Sequence, residues 1–110
     1  MKALKSTKIA DVTSVVATTN YAFTADTNRV RAVQAVWTSS TASFTLTLQY
    51  SLDGTNWSNF TSATAITNSS SNVMWDVLDT KDAVYWQVAA TRTSGTLTTL
   101  KIYFANEPRT

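Results

Sequence analysis

The chain has no cysteine and no histidine, and among its 110 residues it carries two glycines, one proline and a single glutamate. Without cysteine there is no disulfide framework, no thiolate nucleophile and no thiolate zinc site. Without histidine there is no Ser-His-Asp or Cys-His arrangement, no imidazole metal ligand, and no side chain that titrates near neutrality in its unperturbed state. Acid and base chemistry is left to Glu107, six aspartates and the amines, so the chain is expected not to be an enzyme and to hold no cofactor or metal. No apolar run approaches the roughly 18 residues of a membrane span, so no membrane partner is expected.

Nine basic and seven acidic residues leave a net charge of +2. Lys2, Lys5 and Lys8 resemble the basic start of a secretory signal, but Asp11, Thr13 and Ser14 interrupt the apolar stretch such a signal needs. The chain therefore reads as soluble, with no signal peptide and no visible address. The remaining cations are scattered among the aspartates, and nucleic-acid binding is not expected of so dilute a positive field.

What the chain has in abundance is small hydroxyl side chains, 21 Thr and 12 Ser, beside a 44% hydrophobic fraction sufficient for one core. Strict alternation from Phe44 to Tyr50 predicts a half-buried strand, with Phe44, Leu46, Leu48 and Tyr50 inward and Thr45, Thr47 and Gln49 outward. Arg29 to Trp37 alternates too, setting Arg29, Arg31, Val33, Ala35 and Trp37 on one face. Asn72 to Leu78, Val84 to Ala90 and Thr96 to Phe104 read as further strands, the last with a bulge or change of face near Thr98 and Thr99. Weaker strands span Lys8 to Ala17 and Phe60 to Thr67.

These elements predict an all-β fold, a single antiparallel β-sandwich of about seven or eight strands, jelly-roll or immunoglobulin-like. The sandwich is expected over 8–104, between an N-terminal arm at 1–7 and a C-terminal tail at 105–110. Gly54 and Gly95 fall where tight reversals are needed. Asp53-Gly54 should fold the strand ending at Tyr50 back through two or three residues, bringing Trp57 opposite Tyr50 or Gln49, and Ser94-Gly95 should join the last two strands.

Trp75 and Trp86 lie in phase with valines and are expected in the core. Trp37 shares its predicted face with Arg29 and Arg31, a mixture enriched at protein interfaces. Asp76, Asp79 and Asp82 offer oxygen ligands, but their spacing lacks the glycine and bidentate glutamate of a calcium loop and is read as turn chemistry. Asp53, Asn56 and Trp57 form a candidate glycan-binding set, with the ring for stacking and the polar groups for hydrogen bonds.

The segment Gln49-Tyr50-Ser51-Leu52-Asp53-Gly54-Thr55-Asn56-Trp57 resembles a hairpin of discoidin-like sandwiches, which bind carbohydrate or lipid headgroups through loops. It is also similar to a hairpin in small β-sandwich virion proteins of tailed phages. In those proteins an aromatic strand and a closing pair with a Ser-Gly turn follow, here Val84 to Val88 and Thr93 to Leu97. The chain is shorter than a discoidin-like domain and lacks its cysteines, so the phage likeness leads. That resemblance implies a capsid decoration or cement protein on the virion surface, with the major capsid protein or another virion protein as partner and with homo-oligomers, trimers among them. Lys2, Leu4, Lys5 and Ile9 would then be arm contacts, and Arg29, Arg31 and Trp37 a sheet-face contact. The alternative implied by the discoidin likeness is a carbohydrate-binding module using the Asp53–Trp57 loop.

Overall fold

The computed structural model describes residues 5–24, 28–77 and 83–108. The described chain forms nine strands: β1 (Lys5–Val15), β2 (Thr19–Thr24), β3 (Asn28–Thr38), β4 (Ser43–Ser51), β5 (Ser58–Asn59), β6 (Thr64–Thr67), β7 (Ser71–Asp76), β8 (Tyr85–Ser94) and β9 (Leu97–Pro108). They build two antiparallel sheets. The first has the order β1-β9-β3-β7 and the second β2-β8-β4-β5, with β6 pairing the same edge of β4 nearer its start. Except at β4-β5-β6, each connection passes from one sheet to the other. This interleaving, with the first strand beside the last, is the jelly-roll arrangement and decides between the two sandwich types that the sequence left open.

Alternation does what it predicts in β4. Phe44, Leu46 and Leu48 are buried, and against them lie Ile66 of β6, Trp86 and Val88 of β8, and Val33, Leu100 and Ile102 of the first sheet. Each such side chain contributes roughly 1.5–3 kcal/mol by leaving water. Across the two layers Phe23 stacks on Phe104 with ring centroids 4.6 Å apart. The Trp86 indole is buried and donates from Nε1 to the Ala83 carbonyl at 3.2 Å, so its polar edge is satisfied.

Several sequence expectations are corrected. Lys5, Ser6 and Thr7 are not a free arm but pair with Asn106, Ala105 and Phe104, and β9 carries the ladder past 104 to Pro108. Strand β2 was not anticipated at all, because a half-buried edge strand shows only Tyr21 and Phe23 as apolar markers on its inner side. Near Thr98 and Thr99 no register break occurs against β1: Val12 to Val15 pair in step with Leu100 to Leu97. The other alternative, a change of face, does occur, since Leu97 and Leu100 are both buried, and opposite this stretch Ser14 takes a left-handed φ of 54°. Finally, Ser94-Gly95 does not close a hairpin, since β8 and β9 belong to different sheets.

Candidate functional site

The β3 bulge reorganises the predicted arginine–tryptophan face. Val30 pairs with Asn106 and Ala32 with Ala105, so Arg31 is the extra residue and the inside–outside alternation changes phase there. Val30 faces inward before the bulge, and Val33, Ala35 and Trp37 face inward after it. Trp37 is only 4% exposed and offers no surface to a partner, which corrects its reading as a sheet-face contact. Arg31 is half-buried, and the side chain of Arg29 lies outside the described residues.

Of the proposed arm contacts, Lys2 and Leu4 lie outside the described residues, as does the side chain of Lys5. Ile9 sits at the β1 bulge between Lys8 and Ala10 and is half-buried against the core. Asp79 and Asp82 also lie outside the described residues, whereas Asp76 is exposed at the end of β7.

The Asp53 loop is a local construction. Its pairing sets Tyr50 opposite Ser58 and Gln49 opposite Asn59, so the connection is wider than the predicted two- or three-residue turn and Trp57 is opposite neither Tyr50 nor Gln49. The reason is the aspartate. Asp53 Oδ1 accepts from the Thr55 and Asn56 backbone N–H groups, each at 2.8 Å, and from the Ser51 hydroxyl at 2.9 Å. Its Oδ2 accepts from Asn56 Nδ2 at 2.7 Å. Ser51 Oγ in turn receives the N–H groups of Asp53 and Gly54 at 3.2 and 3.0 Å. The two backbone donors of Asn56 and Thr55 dominate in holding the Asp53 carboxyl far below the ordinary carboxylate range, with the side chains of Asn56 and Ser51 adding to them.

Those bonds bear on the glycan set. Asp53 and Asn56 do come together, lining a shallow hollow of about 300 Å³ with Tyr50, Ser51, Leu52 and Ser58. Trp57 is half-buried and is not part of that lining. The exposed apolar group in the hollow is Leu52, 75% exposed. Much of the acceptor capacity of Asp53 is already committed to its own loop.

The sequence sets Thr45, Thr47 and Gln49 outward but does not show the surface they belong to, the outer face of the second sheet. Across it, Ala65, Thr45 and Thr91 form one row, and Thr47, Ala89 and Asn20 the next. Asn59, Gln49, Gln87 and Ala22 form a third row. Here Gln87 Nε2 donates to Gln49 Oε1 at 2.6 Å and Gln49 Nε2 to Asn59 Oδ1 at 2.8 Å, an amide ladder running across three strands. No charged side chain belongs to these rows. The outer face of the first sheet differs, with Lys8, Asp11 and Lys101 among its rows and Lys8 paired to Asp11 at 2.8 Å. The signal was present in the sequence as the polar half of the alternation in β4 and β8, but only the strand order shows that these halves abut.

No cluster of potential metal ligands occurs among the described residues, and no helix of the described chain is long and apolar enough to cross a membrane. No family model matches the chain, and neither a curated protein nor a solved structure matches it.

Proposed function

We propose that this chain is a non-enzymatic structural protein of a phage virion, a decoration or cement protein that stabilises the capsid by bridging its subunits. The observation that supports this reading is the uncharged outer face of the second sheet, built from Thr45, Thr47, Gln49, Gln87, Ala89 and Thr91. A surface of methyl, hydroxyl and amide groups costs little to desolvate compared with a charged one, which suits adhesion over area. Many copies on one particle would convert a modest contact into firm attachment. Jelly rolls recur in viral capsid and lectin domains, a fold-level analogy that agrees with the reading without carrying it.

Co-sedimentation with tailed-phage capsids tests the proposal. Saturable binding is expected, falling at least about tenfold in Thr47→Lys because a charge at the centre of the face must be desolvated. Absence of binding by the folded wild-type protein refutes the reading.

The hollow beside Asp53 favours a second reading, a carbohydrate-binding module. Glycan-array binding that is saturable and lost in Asn56→Ala supports it, while silence across the array removes it.

A further inference from the structure

Exposed sheet edges present unpaired backbone groups and invite strand addition unless charge, proline, bulging or shortness blunts them. The sandwich has edges at β1, β7, β2 and the β5/β6 side. Strand β1 is broken by the bulge at Ile9 and carries the Lys8–Asp11 ion pair. Strand β7 ends on exposed Asp76, and the β5/β6 side consists of fragments of two and four residues. Strand β2 has none of the stronger devices. It is six residues, Thr-Asn-Tyr-Ala-Phe-Thr, without charge or proline, and its ladder to β8 runs without a register shift. Among the described residues β8 is its only ladder partner.

We propose that β2 is a self-association edge, along which a second copy of this chain adds its own β2 antiparallel about a two-fold axis, joining the two second sheets into one. The occupant follows from charge and shape. A self-paired β2 sets no like charges opposite one another, and a second copy supplies a strand of the same length and pattern. A register with Ala22 on the axis keeps the inner and outer faces continuous. It sets Tyr21 against Phe23 of the second copy and Asn20 against Thr24. Tyr21 and Phe23 are half-buried at the margin of the core, so this pairing covers the sides that one copy leaves open. On the outside, Asn20, Ala22 and Thr24 extend the uncharged face from one copy to the next. The pairing holds whatever surface the sandwich adheres to.

Sedimentation equilibrium at chain concentrations up to about 1 mM provides the test. The wild-type protein should approach twice the 12.0 kDa of one chain. Ala22 is exposed, so Ala22→Lys and Ala22→Asp should each stay folded by circular dichroism yet lose association, and mixing the two should restore it through opposite charges on the axis. Thr13→Lys on β1 should associate like wild type. A wild-type protein that stays at 12.0 kDa, a trimer, or an Ala22→Lys variant that still dimerises would overturn the proposal.

Discussion

The two ends of β4 are built from the same parts and to opposite effect. At the far end stand Ser51 and Gly54, and at the near end, packed against the start of β4, stand Ser39 and Gly95. Both glycines take left-handed φ angles, 76° and 73°. The Ser51 bonds stay within residues 51–54. Those of Ser39 reach across the chain: its hydroxyl donates to the Thr96 carbonyl at 3.2 Å and receives the N–H groups of Thr41 and Ala42 at 3.2 and 2.9 Å. Its backbone N–H donates to Ser70 Oγ at 3.0 Å. One end binds distant loops into the fold, and the other shapes a single loop that faces solvent. The lesson is that a glycine and a serine at a turn can be architectural or merely local, and only what lies around them decides.

The glycines give the largest contrast. A Cβ on Gly95 would sit 1.9 Å from the Thr41 carbonyl oxygen, a backbone atom with no room to yield, whereas on Gly54 it would meet the Tyr85 ring at an ordinary 3.5 Å. Gly95→Ala is therefore expected to lose more than about 3 kcal/mol and Gly54→Ala about 1–2 kcal/mol, the cost of a left-handed alanine. Equal losses in urea denaturation would break the comparison.

The serines follow. Ser39→Ala strands the N–H groups of Thr41 and buried Ala42, while the Thr96 carbonyl keeps the Thr41 hydroxyl at 3.4 Å, and should cost about 2 kcal/mol. Ser51→Ala releases the N–H groups of exposed Asp53 and half-buried Gly54, which can turn to water, and should cost about half that. Thermal melts of the two variants sharpen the distinction, and a larger loss at Ser51 would reverse it.

The smallest effect is expected at Asp53 and depends on pH. Its folded carboxyl titrates well below the unfolded value of about 3.9, so its contribution is complete above that pH and fades as acid protonates the folded form. Asp53→Asn should flatten the fall in Tm below about pH 4 and lower Tm at neutrality. An unchanged acid profile would show that the loop holds without the charge.

How far these features can be read from the sequence varies with how local they are. The alternation of Phe44 to Tyr50 sets its own faces and needs no neighbour, so β4 was legible. Arg29 to Trp37 carries apolar residues on both faces, and the bulge at Arg31 is decided by pairing with Ala105 and Asn106, more than seventy residues away, which changes the phase of the strand. The Asp-Gly turn was visible, but its width is set by how many donors one carboxylate gathers, which the dipeptide does not reveal. Ser94-Gly95 looked like a hairpin because neighbouring strands often pair, and here the chain crosses layers instead. The uncharged face was in plain view residue by residue and invisible as a surface until β8 was placed between β2 and β4.

That habit of crossing layers also bears on how the chain reaches its native form. Apart from β4, β5 and β6, a newly made strand finds its partner only after remote segments have been gathered, and the first strand waits for the last. Such a topology loses much chain entropy before contacts repay it, so refolding should proceed in milliseconds to seconds instead of the microseconds open to helical bundles.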